Sequence, residues 1–190
     1  MPIVQRNLAE RAPAQSGGEG EDSLVARLKA GDGDAAREFF DAYAKRIHRS
    51  IANALGGDPR DAEDLLQETF IALAEALPYF RGDSSLFTFT CAIAHRKVQS
   101  FIRRTARRRR LTLEPGIESP TEAFDPAQRD DVVRAMKQLD RDYREVLMLK
   151  YVEEMKVGEM ARVMELSEHA VESRLARARR ALRAKLEAKR

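Results

Sequence analysis

The chain has 190 residues, enough for one ordinary domain or two small ones, with 34% charged and 6% aromatic residues and no Trp. Its formal net charge is only +3, yet arginines gather in residues 103–110 and 174–183 while acids gather in 58–68, so a polyanion suits some faces and a basic or protein partner another. The single cysteine, Cys91, excludes an internal disulfide and a cysteine-rich zinc site.

In chain order, residues 1–20 are polar and Gly-rich without periodicity, which predicts a disordered tail and no targeting segment. No apolar run reaches the ~18 residues of a membrane span, so a soluble cytoplasmic protein without membrane insertion is expected. Ser23 suits the cap of a short helix carrying Leu24, Val25 and Leu28, and Gly31-Asp32-Gly33 ends it. Asp34 is the expected cap of the next helix, where Phe40, Tyr43, Ile47, Ile51 and Leu55 keep helical spacing until Gly56-Gly57.

Asp58-Pro59 restarts a helix whose apolar side holds Leu65, Leu66, Phe70, Leu73 and Leu77, with Pro78 as its stop. A polar loop from Phe80 to Ser85 leads into a long helix from Leu86 to about Arg108. Pro115, Gly116, Pro120 and Pro126 then mark 111–127 as a linker. Val132, Ala135, Met136 and Leu139 predict one further helix, and Tyr143, Val146, Leu147, Lys150 and Tyr151 another. No segment alternates with period two. The organisation predicted is all-α: a domain over 21–110, a flexible linker over 111–127 and a second domain over 128–190.

At the C-terminal end, Val157, Met160, Ala161 and Met164 form one buried stripe at i, i+3, i+4 and i+7. Ser167 suits the cap of the following helix, with Glu168 favoured in its first turn. That helix buries Val171, Leu175, Ala178 and Leu182. It turns Ala170, Ser173, Arg174 and Arg177 outward, with His169, Glu172 and Arg180 at the edges. Small residues early and arginines later suit a helix entering a major groove, the first reaching base edges and the second phosphates. Between Glu168 and Arg190 Lys and Arg outnumber Glu by eight to three, in agreement. The plain alternative is an amphipathic terminal helix with a solvated basic face.

Four strings together resemble one family. They are Asp61-Ala62-Glu63-Asp64-Leu65-Leu66-Gln67-Glu68-Thr69-Phe70, the loop Phe80-Arg81-Gly82-Asp83-Ser84-Ser85, the run Leu139 to Leu147, and Val171-Glu172-Ser173-Arg174-Leu175-Ala176-Arg177-Ala178-Arg179-Arg180-Ala181-Leu182. In this order they resemble the extracytoplasmic-function sigma factors of bacterial RNA polymerase, over residues 22–185. The resemblance implies a region 2 domain joined to a region 4 helix-turn-helix. It implies binding to core RNA polymerase, recognition of the −10 and −35 promoter elements, and promoter opening, with no chemistry, cofactor or metal of the protein's own. An anti-sigma factor is a further expected partner.

Carried onto this sequence, the resemblance puts Asp61, Asp64, Gln67 and Glu68 against the clamp helices of the largest polymerase subunit. It puts Arg81, Asp83, Ser84, Ser85, Phe87 and Thr88 around an extruded −10 base, an arrangement that needs polar groups, an apolar wall and nearby cations. Arg96, Lys97, Arg103 and Arg104 follow on the strand and the duplex edge. His169, Ala170, Glu172, Ser173, Arg174, Arg177 and Arg180 meet the −35 element. The bland readings are a solvated acidic face for the first set, and serine caps with a core phenylalanine for the second. The sequence departs from the family at Glu165, where Gly is usual in the turn, and at Glu172, where a base is common. It departs also at Phe89 and Arg96, where Trp and Asn are frequent. His48, His95 and His169 are scattered and are not read as metal ligands. The alternative function is a helix-turn-helix regulator that binds duplex DNA without polymerase; a small nucleic-acid enzyme would need a carboxylate cluster or an activated nucleophile, and neither is present.

Overall fold

Asp32 rather than Asp34 opens the second helix: its carboxylate accepts from the Asp34 and Ala35 N–H groups at 2.9 and 3.2 Å in the computed structural model, which describes residues 19–55, 59–112 and 130–187. Gly31, at φ +80°, makes the left-handed turn that leaves Asp32 free to reach forward. The preceding helix, α1, spans Glu19–Lys29 and begins earlier than Ser23. Glu21 and Asp22 near its start favour the positive end of the helix dipole, and the Glu21 carboxylate also accepts from the Leu86 N–H. Glu19 and Gly20, expected in the tail over 1–20, belong to α1, and Leu111 and Thr112, expected in the linker over 111–127, belong to the helix Leu86–Thr112. The rest of both segments and Gly56-Gly57 lie outside the described residues.

The N-terminal half continues with α2 (Gly33–Leu55), α3 (Pro59–Ala76), a single 3-10 turn (Leu77–Tyr79) and α4 (Leu86–Thr112). These helices pack on one another around Phe39, Ile47, Ile51, Leu65, Leu73, Leu86 and Val98. Thr69 and Thr90 are also fully buried, and each hydroxyl donates to a carbonyl one turn back, to Leu65 at 2.6 Å and Leu86 at 2.7 Å. That local bond removes the cost of burying a hydroxyl.

The C-terminal half holds α5 (Asp130–Lys137), α6 (Arg141–Tyr151), α7 (Val157–Met164) and α8 (Glu168–Glu187). Among the described residues there is no strand. Arg144 ties this half together, donating to the Met136, Lys137 and Leu139 carbonyls at the end of α5.

The two halves do not stand apart. α6 packs on α2, and α7 packs on α4. Ile47, Ile51, Cys91, Ala94 and Val98 share one buried cluster with Leu147, Leu149, Met155, Met160 and Val163. Val163 shows why: it lies off the stripe that its own domain buries, yet is 2% exposed because it faces Cys91 and Ala94.

Candidate functional site

The helix-turn-helix is α7, a turn, and α8. Glu165 takes the turn position in a left-handed conformation, φ 54° and ψ 43°, the geometry usually left to glycine. The Leu166 N–H reaches back to the Ala161 carbonyl at 3.0 Å, closing the end of α7. Ser167 caps α8, its hydroxyl accepting from the Ala170 N–H at 3.2 Å. Val171, Leu175 and Ala178 are buried, as their spacing predicts, and Leu182 is half-buried. On the outer side His169, Glu172, Arg177 and Arg180 are exposed, while Ala170 and Ser173 are half-buried. Arg174 is more retracted, its side chain 26% exposed and 3.5 Å from the Asp142 carboxylate.

The loop from Phe80 to Ser85 is built from both ends. Phe80 is buried and packs on Phe89, ring centres 5.0 Å apart, and its carbonyl accepts from Lys29 at 2.7 Å. Gly82 turns the chain at φ +81°. Ser85 then caps α4: its hydroxyl accepts from the Thr88 N–H at 3.1 Å and donates to the Thr88 hydroxyl at 2.9 Å. Arg81 and Asp83 are exposed, and Ser84 and Ser85 half-buried. Phe87 is turned inward. It stacks on Tyr43 with ring centres 5.2 Å apart, and the Arg46 guanidinium lies 4.1 Å over its ring. The anchors Glu21 and Lys29 on α1 carry no signal in the sequence.

Further along α4, Arg96, Arg103, Arg104, Arg107 and Arg108 are exposed, and Lys97 is half-buried. Lys97 lies 3.4 Å from Glu68, which links the basic face of α4 to the acidic face of α3. On α3, Asp64 and Gln67 are exposed, and Asp61 and Glu68 half-buried. Ile71, one turn beyond Gln67 and 63% exposed, extends that face with an apolar side chain, and Phe40 on α2 is 46% exposed. Periodicity, which reports only what a helix buries, does not mark Ile71. It places Phe40 on the apolar stripe of α2, and it is the neighbour Phe39, 2% exposed, that the structure buries. Among the described residues no group of three or more His, Cys, Asp or Glu is placed to hold a metal.

Residues 39–108 match the family model for Sigma-70 region 2, and residues 129–182 that for Sigma-70, region 4. The chain is 31% identical over 184 residues to the RNA polymerase sigma-H factor of Pseudomonas aeruginosa, covering 86% of this chain and 92% of that one. It is also 31% identical over 173 residues to the ECF RNA polymerase sigma factor SigC of Mycobacterium tuberculosis, covering 89% and 92%. The chain belongs to the extracytoplasmic-function sigma factors. Its fold is shared with the sigma factor RpoE of Bartonella quintana, solved with the anti-sigma factor NepR, at TM-score 0.70 and 23% identity over 81% of this chain and 98% of that one. CnrH, solved with the cytosolic domain of CnrY, gives TM-score 0.66 and 26% identity over 90% and 100%. In this sigma factor the loop and α4 as far as Arg108 therefore fall within region 2, and the helix-turn-helix as far as Leu182 within region 4.

Proposed function

We propose that this sigma factor divides promoter recognition among three surfaces of one chain. Asp61, Asp64, Gln67 and Glu68 on α3, with Ile71 beside them, dock on the clamp helices of the largest polymerase subunit. Arg81, Asp83, Ser84, Ser85 and Thr88, with Phe87 beneath them, hold an extruded base of the −10 element. Arg96, Lys97, Arg103 and Arg104 carry the adjoining backbone. His169, Ala170, Glu172, Ser173, Arg174, Arg177 and Arg180 address the −35 element in the major groove. The domain limits proposed with them are region 2 over about 21–110, extended at both ends by the helices Glu19–Lys29 and Leu86–Thr112, region 4 over 128–190 and a linker between them. The sigma factor catalyses no covalent step itself, acts in the cytoplasm, and is held in check by an anti-sigma factor.

The observation that carries this reading is the separation of charge. Carboxylates repel DNA, and Asp64 is exposed on α3, whereas Arg103, Arg104, Arg177 and Arg180 are exposed on α4 and α8. Complementary potentials then suit the first surface to a protein partner and the other two to DNA. No described helix is long and apolar enough to cross a membrane.

Reconstitution tests it. Purified chain and core polymerase, offered a library of random double-stranded fragments, should enrich fragments sharing two spaced elements and initiate transcription on them. Binding to duplex DNA with no effect of core would overturn the reading in favour of a free-standing regulator.

A further inference from the structure

The −10 loop hangs between two bonds from one helix. Lys29 on α1 donates to the Phe80 carbonyl at 2.7 Å, where the 3-10 turn ends, and Glu21 on α1 accepts from the Leu86 N–H, where α4 begins. Each charge suits the end it meets. The leading N–H groups of a helix lack partners within it, and the dipole favours a carboxylate there and a cation at terminal carbonyls. The Ser85 hydroxyl serves the Thr88 N–H, and Glu21 serves the Leu86 N–H from 65 positions away.

The rest of α1 is built to hold these two side chains in place. Glu21, Leu24, Val25, Leu28 and Lys29 share one stripe at i, i+3, i+4, i+7 and i+8. Leu24, Val25 and Leu28 pack on the buried cluster that contains Phe80 and Leu86, the residues whose backbone the flanking charges grip. Arg27 ties the helix to Asp32 at 2.8 Å and to Glu38 on α2 at 2.9 Å. Eight residues of helix measure roughly 12 Å, so a rigid rod sets how far apart the ends of the loop stand. This helix, Glu19–Lys29, precedes the segment 39–108 that matches region 2.

We propose that α1 is a brace for the −10 loop, with Glu21 and Lys29 as positioning residues that hold its two ends at the spacing the extruded base requires. The proposal rests on the reading of the loop given above. A loop fixed in advance loses less conformational freedom when the base arrives, and presents Ser84, Ser85 and Thr88 in one register. Glu21 and Lys29 act through backbone atoms of the loop, and loss of either frees one end. Both bonds lie within the N-terminal half, so they do not depend on where region 4 stands.

The test uses holoenzyme made with the full chain. The probe is the non-template −10 strand recovered in reconstitution, intact and with each position in turn made abasic. Glu21→Ala and Lys29→Met should each weaken binding of the intact strand about tenfold, because only loops in the competent shape bind. At the extruded position, the preference for the intact strand over the abasic one should fall by the same factor. A general loss of folded protein would weaken both strands alike. Core association and −35 duplex binding should stay unchanged. Glu21→Gln, whose amide oxygen still accepts, and Lys29→Arg, which still donates, should retain most of the preference. Hydrogen exchange across residues 80–88, read by mass spectrometry, should quicken in Glu21→Ala and Lys29→Met.

If these two variants keep the original exchange rates, α1 is no brace, and a fall in preference would then mean direct contact with the strand. If exchange quickens and the preference holds, the brace does not position the base. Either result overturns the proposal. Should Glu21→Ala lose helicity, Lys29→Met decides, because Lys29 is exposed. Failure of the loop reading looks different: the unaltered holoenzyme then binds every abasic strand as tightly as the intact one, while exchange over 80–88 still responds to both variants.

Discussion

Arg46 on α2 and Glu153 beyond α6 stand 107 positions apart in the chain and meet at 3.0 Å. Arg46 also lies over Phe87, so one guanidinium touches the region 2 core and the region 4 carboxylate. The two halves should therefore unfold together. Urea denaturation followed by helicity and by Cys91 exposure should give coincident transitions. In Glu153→Ala they should separate, since a broken buried pair is worth ~3–5 kcal/mol. Coincident curves at an unchanged midpoint in that variant would show that the packing does not couple the halves.

Glu165 is strained where glycine is not. A left-handed L-residue costs roughly 1–2 kcal/mol, and the pair it forms with Arg96, 57% and 63% exposed, returns little. Glu165→Gly should stabilise the chain by roughly 0.5–1 kcal/mol in chemical denaturation. A loss of stability would mean that the Arg96 contact outweighs the backbone.

On α8 the arginines should separate by role. Arg174→Ala should weaken −35 duplex binding by ~1–3 kcal/mol if its guanidinium leaves Asp142 for a base edge. Arg177→Ala and Arg180→Ala should each lower the slope of log affinity against log salt by about 0.9, with little change in sequence preference. Equal salt slopes in all three variants and the unaltered protein would mean that a different face meets DNA.

The acidic face has its own test. Asp64→Lys with Gln67→Lys should abolish association with core polymerase in gel filtration while leaving −35 duplex binding intact. Parallel loss of both would merge two surfaces that are argued to be separate.

Asp32 gives a pH dependence. The Arg27 side chain and the capped Ala35 N–H hold its carboxyl below the usual range. Its stabilising effect is therefore full above the ordinary aspartate pKa and fades as pH falls through the lower folded value. Asp32→Ala should lower the thermal midpoint at pH 7, with the difference shrinking below about pH 4. A difference that persists at pH 2 would point to a cause other than the carboxylate.

Much of this protein is local, and the sequence alone determined it. Helical spacing fixed which residues of α8 are buried, because Val171, Leu175 and Ala178 need only their own domain to cover them. Ser167 capped α8 for the same reason, through a bond spanning three residues. The family was legible in four motifs. Asp32, not Asp34, proved to be the cap of α2, since the choice depends on where the left-handed Gly31 sets the chain down. What only the tertiary structure decided is the relation between the halves. Val163, Thr88 and Glu153 are buried by elements from the opposite domain, and no period within a single helix can register a neighbour that arrives from elsewhere in the chain.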